Sequence, residues 1–213
     1  MTVLARLQLA LETLHDVRVG ACVTEFLVDD DVRDVLPGAK RGIPEQLFIH
    51  EDEEALDIAL YLDPALVSQV ESDPPSQRLH SGNFEPFCVV LEGVSHFVFV
   101  AYRTQLERPV SGLELEIQAE VDKFVVSWLL LAEQGVSLGS SAALLRRRLF
   151  QQFTLRDEVA VDERERYARA NQYADSFCRS LSGSKSPEDV RTRVRGYFRS
   201  GLAEKARRFA SAA

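Results

Sequence analysis

Cysteine is scarce. Cys22, Cys88 and Cys178 are the only three, far apart and odd in number. No Cys-x-x-Cys or Cys/His spacing for zinc exists, and no disulfide framework can be drawn. The three read as reduced, mostly buried thiols of a cytoplasmic protein. Long apolar runs are missing too. Residues 97–102 and 124–132 are the longest, well short of the roughly 20 residues that a membrane span needs. No membrane span is expected. Residues 1–16 hold one arginine, Arg6, and spaced apolar positions, unlike a secretory signal. Also absent are a Walker loop and a dinucleotide fingerprint. So are helix-turn-helix, RRM and KH signatures. No cofactor is predicted.

What is present is an ordinary globular composition over 213 residues, enough for one large domain or two small ones. Such a chain buries about 70% of its unfolded surface and needs no metal to fold. Arginine heavily outnumbers lysine, the bias of a GC-rich genome, and a bacterial source is expected. Charge is split along the chain. Residues 1–140 hold 9 Lys+Arg against 24 Asp+Glu, and residues 141–213 hold 16 against 9. An acidic front and a basic back compensate each other within one fold, or the basic end meets an anionic partner.

The pattern predicts an α+β fold: a small N-terminal antiparallel sheet of about three strands, then a C-terminal helical bundle of about five helices. Leu4, Leu7, Leu11 and Leu14 predict a helix over 2–14. Residues 20–28 are rich in strand formers. Residues 46–50 and 55–62 predict a hairpin joined by Glu51-Asp52-Glu53-Glu54, the second strand alternating with period two. Asp63-Pro64 opens a short helix to about residue 71. Asp73-Pro74-Pro75-Ser76 is a rigid connector, so the parts divide as 1–72 and 83–213, packed as one unit. Helices are then expected over 83–105, 111–134, 141–152, 162–181 and 186–209. The second carries a capping box at Ser111 and Glu114.

One constellation can carry chemistry. Glu92, His96 and Arg103 fall on one line of the 83–105 helix, and Glu116, Glu120 and Lys123 on one line of the next. The short connection makes the two helices antiparallel neighbours. Facing residues then have numbers that sum to about 217. That sets His96 level with Glu120, Arg103 with Glu114 and Glu116, and Glu92 with Lys123. The expectation is a polar seam of ion pairs that fixes helix register. If His96 is buried against Glu120, its imidazolium is favoured. The functional alternative is a metal or acid–base site on Glu92, His96, Glu116 and Glu120. No HExxH or ExxH spacing supports it, and Lys123 and Arg103 oppose a cation.

A second set is basic. Arg191, Arg195 and Arg199 share a helix face, and Arg146, Arg147 and Arg148 form a cluster. They offer an anion-binding surface for nucleic acid or lipid. The plainer expectation is a solvated face meeting the acidic half. His15, His50 and His80 are assigned surface or turn roles. Residues 135–141 read as an inter-helix turn whose serines cap the next helix. The functional expectation is a non-enzymatic cytoplasmic protein working through protein partners or self-association. Alternatives are a metalloprotein or enzyme on the Glu/His cluster, and a nucleic-acid-associated protein using the C-terminal arginines.

Overall fold

The computed structural model describes residues 1–51, 56–152, 161–184 and 186–212. Residues 52–54 of the expected hairpin connection lie outside them. α1 (Val3–His15) is capped by Thr2, whose hydroxyl accepts from the Ala5 amide, and ends where Asp16 turns left-handed at φ 56°. The stretch read as one strand over 20–28 is mostly something else. Val23–Glu25 is a single 3-10 turn, and β1 is only Leu27–Val28. Gln8 of α1 causes the change. Its amide donates to the Ala21 carbonyl at 2.7 Å and accepts from the Val23 amide at 2.7 Å. These are groups that a longer strand would have given to the sheet.

A short α2 (Asp30–Val35), capped by Asp29, leads through a loop to β2 (Glu45–Glu51) and β3 (Leu56–Leu62). The strand order is β1-β3-β2. β2 and β3 are antiparallel, with Glu45 opposite Leu62 and Leu47 opposite Leu60. β1 runs parallel to β3. The expected all-antiparallel sheet is therefore mixed, because the chain crosses over through α2 before the hairpin begins.

α3 (Pro64–Ser72) carries the expected Asp63 cap and leading proline. α4 (Phe84–Gln105) follows, then α5 (Gly112–Glu133) with its complete capping box. α6 (Leu138–Arg146) starts earlier than expected, capped by Ser137, and runs into a π-helical turn at Arg147–Gln151. α7 is Val161–Leu181. The single last helix expected over 186–209 is two, α8 (Pro187–Arg199) and α9 (Leu202–Ala212). Ser200 is extended there, and Glu114 Oε1 accepts from the Leu202 amide at 3.1 Å, capping α9 from another helix. Among the described residues, nine α-helices and three strands make an α+β fold with more helices than the pattern implied.

α4 is the axis of the core. Val90, Leu91, Val94, Phe97, Val98, Phe99 and Val100 are all buried, as expected of a helix that is apolar over most of its circumference. By length and composition α4 alone, among the described helices, could cross a membrane; 67% of its most apolar window is buried against α1, α3, α5 and the sheet. One hydrophobic cluster joins Val3 on α1, Leu60 on β3, Phe97 on α4, Phe124 on α5 and Phe198 on α8. Gly93 is where α4 meets the hairpin. A Cβ there would stand 2.8 Å from Leu62 Cδ2 and 3.0 Å from Glu45 Cγ, so only glycine lets β2 and β3 lie this close.

Candidate functional site

The sheet's approach at Gly93 brings Glu45, the first residue of β2, to His96 one turn further along α4. Glu45 Oε1 lies 3.2 Å from His96 Nδ1. Glu116 of α5 lies on the other side, its Oε2 3.9 Å from His96 Nε2. Lys123 closes the row, with Nζ 2.9 Å from Glu92 Oε2 and 2.6 Å from Glu120 Oε1. From α7, Arg166 Nη2 stands 3.7 Å from Glu116 Oε1 and the same distance from Glu163 Oε1. Glu163 is also held by Lys40 at 2.6 Å.

Expected pairings are met in two places and corrected in two. Glu92 meets Lys123, and Arg103 Nη2 donates to Glu114 Oε1 at 3.3 Å and to the Pro109 carbonyl at 3.1 Å. His96 does not pair with Glu120, and Arg103 does not pair with Glu116. Helix levels alone could not place His96. The glycine-lined contact turns its face to β2, and Glu120 is drawn to Lys123 on its own helix. Arg103 and Glu114 therefore sit apart from the His96 cluster, at the α4–α5 connection.

Burial works against the His96 imidazolium, but Glu45, with Glu116 and Glu92 behind it, outweighs the desolvation and lifts the pKa to about 9. Burial raises Glu116 to about 7 against the pull of His96 and Arg166. Burial raises Glu120 as well. Glu92 ends below the ordinary carboxylate range: burial pushes it up, and Lys123 overcomes that. Lys123 is lifted well above its usual value by Glu120 and Glu92 despite its own burial. Chemically, a proton donor and a carboxyl poised near neutrality face each other, with an excess of carboxylates around one imidazole.

This cluster lies beside a cleft of about 790 Å³ between the 36–43 loop, β2, the start of α5 and α7. Its walls include Leu47, Phe48, Ile58 and Leu115 together with Glu45, His96, Glu116, Glu163, Arg166 and Tyr167. Burial pushes the Tyr167 hydroxyl up. Two buried nitrogens in this cleft, His96 Nε2 and Arg166 Nε, have no hydrogen-bond partner among the described residues. Sequence reasoning missed Glu45, Arg166 and Tyr167. They come from a strand and from a helix distant in the chain, and no local spacing marks them.

The basic residues are spread over other contacts. Arg195 donates to the carbonyls of Leu14 and Thr13, and Arg199 donates to that of Asp16 at 2.9 Å. Both thus serve the C-terminal end of α1. Arg191 lies 3.6 Å from Glu188. Arg146 grips Asp175 with two hydrogen bonds of 2.8 and 3.0 Å, Arg148 covers the Phe84 ring at 4.3 Å, and Arg147 is exposed. His50 is exposed on β2, and His80 is near Asp73 in the turn before α4. His15 contradicts its surface assignment. It is fully buried, stacked on Phe198 at 4.0 Å, with Nε2 2.9 Å from Asp122 Oδ1. Asp122 also accepts from Ser95 at 2.6 Å and Gln118 at 2.9 Å. Comparison of the chain with protein-family models, with curated proteins and with solved structures finds no match, so the function must be argued from this geometry alone.

Proposed function

We propose that the protein binds a small molecule in the cleft between β2, α5 and α7. The ligand has an apolar body that rests on residues such as Phe48 and Leu115, and a hydrogen-bond-accepting head that meets Arg166 beside His96. A single observation carries the reading: two buried nitrogens without a hydrogen-bond partner among the described residues, His96 Nε2 and Arg166 Nε, line the same cleft. An unsatisfied buried polar group costs about 1–3 kcal/mol, and a bound acceptor removes that cost. The cleft volume falls within the roughly 300–1,000 Å³ of small-molecule sites. An NMR fragment screen tests the idea. Hits with an acceptor head should shift amides of β2 and of α5 near Leu115, and Leu115→Trp, which fills the cleft, should abolish them. Hits that scatter over the surface, or that survive Leu115→Trp, would remove the proposal.

A second reading keeps the protein-partner expectation. β2 pairs only with β3 among the described residues, and Ile49 on it is 43% exposed. An outer strand edge of this kind accepts an added strand from a second copy or another protein. Sedimentation equilibrium over a wide concentration range addresses self-association. A constant monomer mass would exclude that version.

A further inference from the structure

His96 has the surroundings of a metal-ligating imidazole. When the neutral ring carries its proton on Nδ1, that N–H donates to Glu45 Oε1 at 3.2 Å, and the buried Nε2 lone pair has no hydrogen-bond partner among the described residues. Metal-bound histidines are commonly oriented in this way, one nitrogen on the ion and the other on a carboxylate. The His96 side chain is 6% exposed. Ligand atoms of Glu92, His96 and Glu116 lie within 4.8 Å of one another.

We infer that Glu92, His96 and Glu116 form a site for one divalent transition-metal ion, with Glu45 orienting the imidazole from behind. The inference deepens the cleft reading and rests on it in one respect: the ion's open position would face the cleft and take the acceptor head of the ligand.

Distance and charge both allow the ion. Metal–nitrogen and metal–oxygen bonds of about 2.0–2.2 Å place ligand atoms roughly 3–4 Å apart. The three groups therefore need to close by up to about 1–2 Å, within the reach of side-chain rotation. Around the site stand the carboxylates of Glu45, Glu92, Glu116 and Glu120, against the fixed cations Lys123 and Arg166. An ion that displaces the proton from Nε2 leaves His96 neutral, and two negative charges are then left over, which is the charge of one divalent ion. Lys123 is the obvious obstacle, since it holds Glu92 Oε2. Its shorter contact is with Glu120 at 2.6 Å, and that carboxylate can keep it while Glu92 turns its other oxygen to the metal. One imidazole and hard carboxylates suit zinc, manganese or ferrous iron, not soft thiophilic ions.

The experiment uses the whole chain, stripped with chelator and dialysed, titrated by calorimetry with zinc and with manganese chloride and no organic ligand. Saturation at one ion per chain is expected. Cobalt chloride should give visible bands of a nitrogen–oxygen site. Glu45→Gln should keep the stoichiometry and weaken binding on the order of 10–100-fold. Glu116→Gln should weaken binding by at least as much, and His96→Ala should abolish it. Circular dichroism checks each variant, and His96→Gln replaces His96→Ala if the latter does not fold. Absence of saturable binding, or unchanged affinity in Glu45→Gln and Glu116→Gln, overturns the metal site. Fragment binding that disappears in Leu115→Trp while no ion binds would leave the cleft standing and remove only the metal.

Discussion

Burial works against two buried cations alike, and neighbouring carboxylates overcome it for one and not for the other. His96 is surrounded by Glu45, Glu116 and Glu92, and its pKa rises to about 9. A raised pKa means that the folded state holds the proton more tightly. The stabilisation is therefore complete below the unfolded value of about 6.5 and is lost as pH climbs through about 9. In metal-free protein, NMR titration should place His96 near that value, and Glu45→Gln should move it down. A value at or below about 6.5, that of a free imidazole, would mean that Glu45 is not its partner. Lys205 of α9 is 1% exposed, and its pKa falls to about 8 because burial outweighs the attraction of Glu114 and Asp122. Its ammonium donates to Gln118 Oε1 at 3.3 Å and lies over the Phe99 and Tyr197 rings at 5.1 and 4.8 Å. The native state thus binds this proton less tightly than the unfolded chain, and stability should rise as pH goes from about 8 to about 10.5. Lys205→Met keeps the volume and removes the charge. Denaturant unfolding should find it neutral to a few kcal/mol more stable at pH 7 (about 1–4 in comparable replacements), with the alkaline rise gone. A loss of several kcal/mol would show that the ammonium is a net stabiliser.

At the scale of elements, the join between α4 and the hairpin decides the site. Gly93 is unfavourable in a helix interior by about 1 kcal/mol relative to alanine, so propensity alone favours Gly93→Ala. The added Cβ would meet Leu62 and Glu45 at 2.8 and 3.0 Å. Overpacking of this kind costs typically about 1–3 kcal/mol. The variant should be destabilised in chemical unfolding, and its His96 should titrate lower because Glu45 is pushed back. If the variant is more stable and His96 is unchanged, the close approach does not position the site. Elements whose ends carry chemical markers were legible in the sequence: Asp63-Pro64 for α3, the Ser111–Glu114 box for α5, and Ser186-Pro187 for α8. Those whose limits depend on a distant partner were not. β1 is cut short by Gln8 of α1, and the break before α9 is held by Glu114 of α5.

Over the whole molecule, the acidic front and basic back meet chiefly at local contacts. Arg195 and Arg199 of α8 bind carbonyls at the end of α1, and Arg166 faces Glu116. Burial ties the halves together further. α1, α3 and the sheet cover α4, and the continuous core passes through all of them. A fragment of residues 83–213 would leave that face of α4 open to water, an apolar patch of the kind that drives association. Expressed alone, it should aggregate or lack a cooperative thermal transition. A monomeric, cooperatively folding fragment would show that the helices need no cover from the N-terminal part.

Periodicity, caps and prolines by themselves determined most of the helical segments, though neither the short α2 nor the break before α9, and also that a hairpin precedes α3 and that charged residues on α4 and α5 face one another. These are properties of neighbours in the chain, where a 3.6-residue or two-residue repeat is enough. Tertiary structure alone decided that His96 answers to Glu45 rather than Glu120, that His15 is inside, and that a cleft opens beside Arg166 and Tyr167. Side chains from β2, α4, α5 and α7 meet there, and no repeat within one segment records which distant segment will pack on it.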